Sequence, residues 1–259
     1  MNKQTFKNIR AQILFLIVVI IGWQVMSTSG MVSQLTFPSI TKIAQALVKG
    51  FAEEELLEYV TYSLSLLIRG LLIGVILAFV FSSLCMVSRT VYSIYNMVTS
   101  ICDLIPGVAL IPIAMGWFGI GEAVIIFIVV HGVIWPMSRS ILGGFSGINK
   151  MYVEEGRIFG LKGVSLITGV YLPATLATLI SGIRMGWARA WRGLIAIEMI
   201  FGTTGSGAGI GWYIFMKRTN LNYAGMFAAL IVIILIGVIV EYLVFQTIEK
   251  KTIVKWGMV

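Results

Sequence analysis

Apolar residues in this chain do not alternate or gather into stripes; they run on for 18 residues or more. Six stretches, 9–26, 63–87, 92–118, 123–142, 172–201 and 223–248, are nearly unbroken in this way. About 20 apolar residues at a rise of 1.5 Å each cross a hydrocarbon core. Backbone groups in lipid must bond one another, so each run is expected to be a helix. A transmembrane barrel would instead show segments of about 10 residues with alternating polarity. The pattern predicts an all-α membrane protein with six spans, organised as one domain over 1–259, with no internal repeat, heptad seam or low-complexity tract.

The longest polar connection, 27–62, carries Phe37-Pro38-Ser39 as a turn into a helix, with Ile43, Ala46, Leu47, Gly50 and Phe51 at helical spacing. Glu53, Glu54, Glu55 and Glu58 follow as an acidic cluster, read as a solvated helix face.

Composition agrees with the pattern. Of 259 residues, 58% are hydrophobic and 12% charged, with a mean hydropathy of +0.96; soluble domains hold about 45–50% apolar and about 25% charged residues. The formal charge is +8, and its distribution gives it a meaning. With the N-terminus inside, the inner segments hold Lys3, Lys7, Arg10, Arg89, Arg139, Lys150, Arg157, Lys162, Lys250, Lys251 and Lys255, the outer ones only Lys42, Lys49, Lys217 and Arg218. Both termini are therefore expected in the cytoplasm, and the excess charge gives no reason to invoke nucleic acid. The first run is read as a retained span and not as a cleaved leader, because six spans fit the charges. Cys85 and Cys102 sit in separate runs and read as small buried hydrophobes, and His131 is the single histidine.

Ionisable residues inside spans are costly and draw attention by default. Arg189 and Arg192 are three apart, on one face of the outer part of the fifth span; Arg184 lies deeper and Glu198 beyond them. Either the arginines line an electropositive pathway suited to an oxyanion such as a sulfonate, carboxylate or nitrate, or they pair with acids, Glu198 or Glu122 included. Arg184 and Glu198 are 14 residues apart, about 21 Å along an axis, and do not pair within one straight helix. Arg69 reads as structural, Asp103 beside Pro106 as a buried acid, and Trp187, Trp191 and Trp212 as an interfacial belt.

The stretch EEGRIFGLKGVSLITGVYLP, 154–173, is the most polar and glycine-punctuated part of the chain. A short helix over 149–159 ends at Gly160, where a left-handed residue is wanted, and Pro173 suits the first turn of the next span. Met151, Ile158, Phe159 and Leu161 place apolar side chains on this cytoplasmic segment, to be covered by the protein's own helices or by a partner.

The spacing of Glu154, Glu155, Gly156, three residues, Gly160, nine residues, Val170, Tyr171, Leu172 and Pro173 resembles the EAA loop of binding-protein-dependent ABC importer permeases. That loop reads E-A-A, three residues, G, nine residues, I, one residue, L-P. Here Glu155 and Gly156 replace both alanines, and Val170 replaces the isoleucine. IPGVALIPIAMGWFGIGE, 105–122, and AWRGLIAIEMIFG, 190–202, are similar to segments of the nitrate, sulfonate and taurine branch.

The resemblance implies a six-helix type I ABC importer transmembrane domain in a bacterial plasma membrane, two copies lining one pathway as a homodimer. It implies a coupling loop over about 149–165, with Glu154, Glu155, Gly156, Ile158, Phe159, Gly160 and Leu161 docking ABC ATPase subunits. An extracytoplasmic substrate-binding protein would deliver a small anionic solute; in the pathway reading of the charges inside the spans, Arg184, Arg189, Arg192 and Glu198 are the candidate residues for it. ATP and Mg would sit on the ATPase and no cofactor on this chain. Consistently, no Gly-Lys dipeptide occurs, so the phosphate-cradling G-x-x-x-x-G-K-[ST] loop is missing, and GTTGSGAGIG, 202–211, reads as a flexible outer loop. A secondary transporter or channel working without ATP would show paired midplane charges in repeated halves, and a membrane enzyme a nucleophile or metal constellation. Neither pattern is present in the sequence.

Overall fold

A computed structural model describes residues 3–86, 88–203 and 207–254. Val87, the expected end of the second span, residues 204–206 of the glycine-rich stretch and Lys255 lie outside them. The described residues form helices and connections, with no strand element. In order these are α1 (Lys3–Thr28), α2 (Ile40–Glu53), α3 (Leu56–Leu84), α4 (Arg89–Cys102), a tight turn at Gly107–Leu110, α5 (Ile111–Phe118), α6 (Glu122–Ser146) and α7 (Lys150–Ile158). Then come the one-turn pieces α8 (Val164–Leu166) and α9 (Leu172–Ala174), α10 (Leu176–Phe201), α11 (Ile210–Thr219), α12 (Tyr223–Ile239) and α13 (Gln246–Glu249).

Four helical stretches among the described residues, Arg10–Thr28, Leu56–Leu84, Glu122–Ser146 and Tyr223–Ile253, are long and apolar enough to cross a membrane. Two bent pairs bring the number to six. The third run is therefore not one straight helix: Arg89–Cys102 and Gly107–Phe118 meet at 94°. Pro106 accounts for the break, since it donates no backbone hydrogen bond and disfavours helix at the residue before it. The fifth run starts at Leu176 and not at 172, because Val164–Ala174 meets it at 78°. The second begins at Leu56, seven residues before the expected start, and takes Glu58 into its first turn.

α6 is the central helix. Successive contacts of Gly70 with Val129 and Gly74 with Val133 run α3 parallel to it, whereas Gly144 with Thr178, Gly182 with Ser140 and Gly186 with Val133 run α10 antiparallel. A Cβ on Gly74 would lie 2.8 Å from Val133 Cβ, and one on Gly182 2.7 Å from Ser140 Cβ. Small residues thus set the helix separation, as they do where lipid removes the hydrophobic drive to associate.

α2 is the expected short helix, with Ser39 at its N-cap accepting a hydrogen bond from the Lys42 amide. Trp23 of α1 stacks on Phe37 at 4.0 Å and donates through Nε1 to the Pro38 carbonyl. Of the three tryptophans expected in a belt, Trp191 is buried and stacks on Trp187, and Trp212 stacks on Phe215 and covers Gly202.

Candidate functional site

Two places bring the candidate residues together. The first is α7. Asn149 accepts a hydrogen bond from the Met151 amide and starts the helix. At the other end the Gly160 N–H donates to the Arg157 carbonyl and the Leu161 N–H to the Gly156 carbonyl, with Gly160 at φ +82°. This six-to-one and five-to-two pairing is the Schellman termination, and it needs a residue that accepts the left-handed region.

Gly156 is buried, and a Cβ there would lie 2.7 Å from Val170 Cγ2 and 3.0 Å from Leu166 Cδ1. So Gly156 and Val170, both departures from the E-A-A…I pattern, are packing partners. Leu161 also tucks in, toward Gly156 and Gly169. Glu154 and Glu155 face outward, and Ile158 and Phe159 at the tip are 82% and 84% exposed.

The second place is the elbow of the third run. A cavity of about 240 Å³ there is lined by Asp103, Pro106, His131, Trp135, Arg189 and Arg192, among others. Asp103 is the residue at which α4 stops. Its carboxylate meets Arg139 of α6 at 2.8 Å and also contacts Arg189 of α10. Arg192 lines the same cavity and forms no ion pair among the described residues.

The other two candidates for the pathway are elsewhere. Arg184 lies 3.0 Å from Glu249 and 3.4 Å from Glu241, with its guanidinium over the Phe245 ring, so it ties α10 to the C-terminal end of the last span. Glu198 is 1% exposed and accepts from Ser63 Oγ at 2.8 Å and from the Gly211 amide at 3.0 Å; Ser63 Oγ in turn accepts from the Ile210 amide at 2.8 Å. Glu198 fastens the start of α11 to α10 and α3. A carboxylate at a helix N-terminus is favoured by the free amides there.

This corrects the expectation of a flexible loop over the described part of 202–211. A Cβ on Gly209 would overlap the Glu198 carboxylate, and one on Gly207 would lie 2.7 Å from the Tyr62 ring. The glycines are there for close packing.

The acidic cluster is also only partly a solvated face. Glu54 meets Lys217 Nζ at 2.7 Å and accepts from Tyr213 Oη at 2.7 Å. Burial pushes the Glu54 carboxyl up, but the hydrogen bonds of Lys217 and Tyr213 and the charges of Lys217 and Lys49 outweigh it and hold the group below its ordinary value. Burial and then the Glu54 partner push the Tyr213 hydroxyl up. Arg69, read as structural, pairs with Glu122 at 2.9 Å. Ser63, Arg139 and Gly209 had no sequence signal beyond being small or charged near an apolar run.

A family model described as binding-protein-dependent transport system inner membrane component matches residues 70–253. A putative aliphatic sulfonates transport permease protein of Bacillus subtilis is 26% identical over 239 residues, covering 92% of this chain and 84% of its own length. One of the same description from Escherichia coli K12 is 29% identical over 219 residues, 85% of this chain and 82% of its own. A taurine transport system permease protein of that strain is 25% identical over 197 residues, 74% of this chain and 72% of its own.

Proposed function

Because the chain belongs to the family of inner membrane components of binding-protein-dependent transport systems, we propose that it is the permease of an ATP-driven importer for a small anionic solute of the sulfonate class. Its membership makes it a multi-pass, non-catalytic membrane subunit with the type I ABC importer fold. In this reading two copies enclose one pathway, both termini are cytoplasmic, ATP and Mg are held by separate ATPase subunits, and a binding protein delivers the solute. The relatives named for sulfonates and taurine support the solute class, and so does the excess of guanidinium over carboxylate around the elbow cavity.

The observation that carries the ATP-driven reading is the α7 tip. Ile158 and Phe159 stand almost wholly exposed beside a rigid Schellman turn, on the segment that matches the coupling loop. Two large apolar side chains held outward on a polar segment fit a groove on a partner.

The test is uptake into proteoliposomes that contain the permease, its ATPase and its binding protein. Uptake of methanesulfonate should require ATP and should be lost, together with solute-stimulated hydrolysis, in an Ile158→Ser, Phe159→Ser variant that still inserts. Uptake without ATP, or full coupling in that variant, refutes the reading.

A further inference from the structure

Asp103 occupies an unusual position. It ends α4 at a 94° elbow, its carboxylate is 7% exposed, and its two oxygens face guanidinium groups of two other helices, Arg139 of α6 and Arg189 of α10. One acid therefore ties the elbow of a broken helix to both of its neighbours. The cavity beside it also holds Arg192, which has no ion pair among the described residues. Two cations thus share one carboxylate, with a third beside them. An oxyanion entering this cavity meets Asp103 as the competitor for Arg189.

We infer that Asp103 is a tethered counter-ion which a transported oxyanion replaces on Arg189, so that loading the cavity releases the elbow of the third span from α10. The inference rests on the anionic-solute reading above. The exchange leaves the charges better matched than before. Arg189 and Arg192 receive the incoming anion, and Asp103 keeps Arg139 as its partner, so the buried carboxylate is not left without a cation. A planar or tetrahedral oxyanion can take the same guanidinium edge that a carboxylate takes. Because the competitor is built into the hinge, arrival of the anion is converted into freedom of a helix joint.

The experiment uses the full permease in nanodiscs with methanesulfonate as the probe and choline chloride at matched ionic strength as the control. Thermal unfolding midpoints are followed against probe concentration for wild type, Asp103→Asn, and Asp103→Asn with Arg189→Gln. Removing the competitor should lower the half-saturating concentration by roughly tenfold, and removing Arg189 as well should abolish the response. Equal half-saturation in wild type and Asp103→Asn overturns the inference while leaving the anionic solute standing. No probe-dependent shift in any variant overturns both. Hydrogen exchange on the wild type decides the matter even where Asp103→Asn does not fold: exchange over residues 103–110 should quicken with methanesulfonate, and unchanged or slower exchange overturns the proposal.

Discussion

Ser63 and Glu198, 135 residues apart in the chain, meet through a hydrogen bond of 2.8 Å in the buried interior. The same hydroxyl accepts from the Ile210 amide, so one serine links α3, α10 and the start of α11. Ser63→Ala removes the donor to a buried carboxylate and the acceptor of a buried amide. A loss of about 1–3 kcal/mol is expected, read as a lower unfolding temperature in detergent. Gly209→Ala, whose Cβ would overlap the Glu198 carboxylate, should be the more damaging of the two.

How much of this was legible in the sequence depends on the physics behind each feature. The apolar runs announced the spans because a long unbroken apolar run satisfies its backbone in lipid as helix, whereas a barrel strand would alternate. Gly160 was legible because left-handed backbone has few acceptable residues. The elbow at Asp103 was not, since Pro106 is also tolerated within transmembrane helices, and the partners Arg139 and Arg189 come from elements 36 and 86 residues away. Arg189 and Arg192 were placed together by helical spacing, which local periodicity supplies. Arg184 and Glu198 were grouped with them by charge alone, and tertiary contacts took each to a different partner.

Gly156 and Val170 give a prediction about the coupling segment. A methyl group at 156 would lie 2.7 Å from a β-branched side chain with few rotamers, so α7 must shift to accept it. Gly156→Ala should lower solute-stimulated ATP hydrolysis of the reconstituted transporter without lowering insertion. Val170→Ala in the same chain should restore it. Failure of the second change to rescue the first would show that the methyl does not act through Val170.

The Glu54 and Lys217 pair should give a pH signature. The Glu54 carboxyl is held below its ordinary value of 4.5, so the folded protein binds this proton less readily than the unfolded one. Its stabilising contribution is complete above pH 4.5 and is lost as pH falls through the depressed folded value. The difference in unfolding temperature between wild type and Glu54→Gln should be constant near neutrality and shrink in acid. A difference that grows in acid would contradict the assignment.

Arg184 and Arg192, both on α10, should respond differently to the same substitution. Arg184 is paired with Glu241 and Glu249 at the C-terminal end of the last span, so Arg184→Gln leaves two carboxylates without their shared cation. All three groups are partly exposed, and screening limits the cost to about 1 kcal/mol. That loss should appear as a lower unfolding temperature, with uptake per folded molecule unchanged. Arg192 has no ion pair among the described residues and lines the elbow cavity. Arg192→Gln therefore removes a cation that no carboxylate balances, and stability should hold or rise slightly. If Arg192 meets the solute, one charge-assisted contact of about 1.5 kcal/mol or more is lost, and methanesulfonate uptake should fall by roughly tenfold. Arg192→Lys keeps the charge but not the fork, and should recover only part of the uptake. Normal uptake in Arg192→Gln would remove this residue from the pathway, and lower stability with normal specific uptake would make it a structural cation like Arg184.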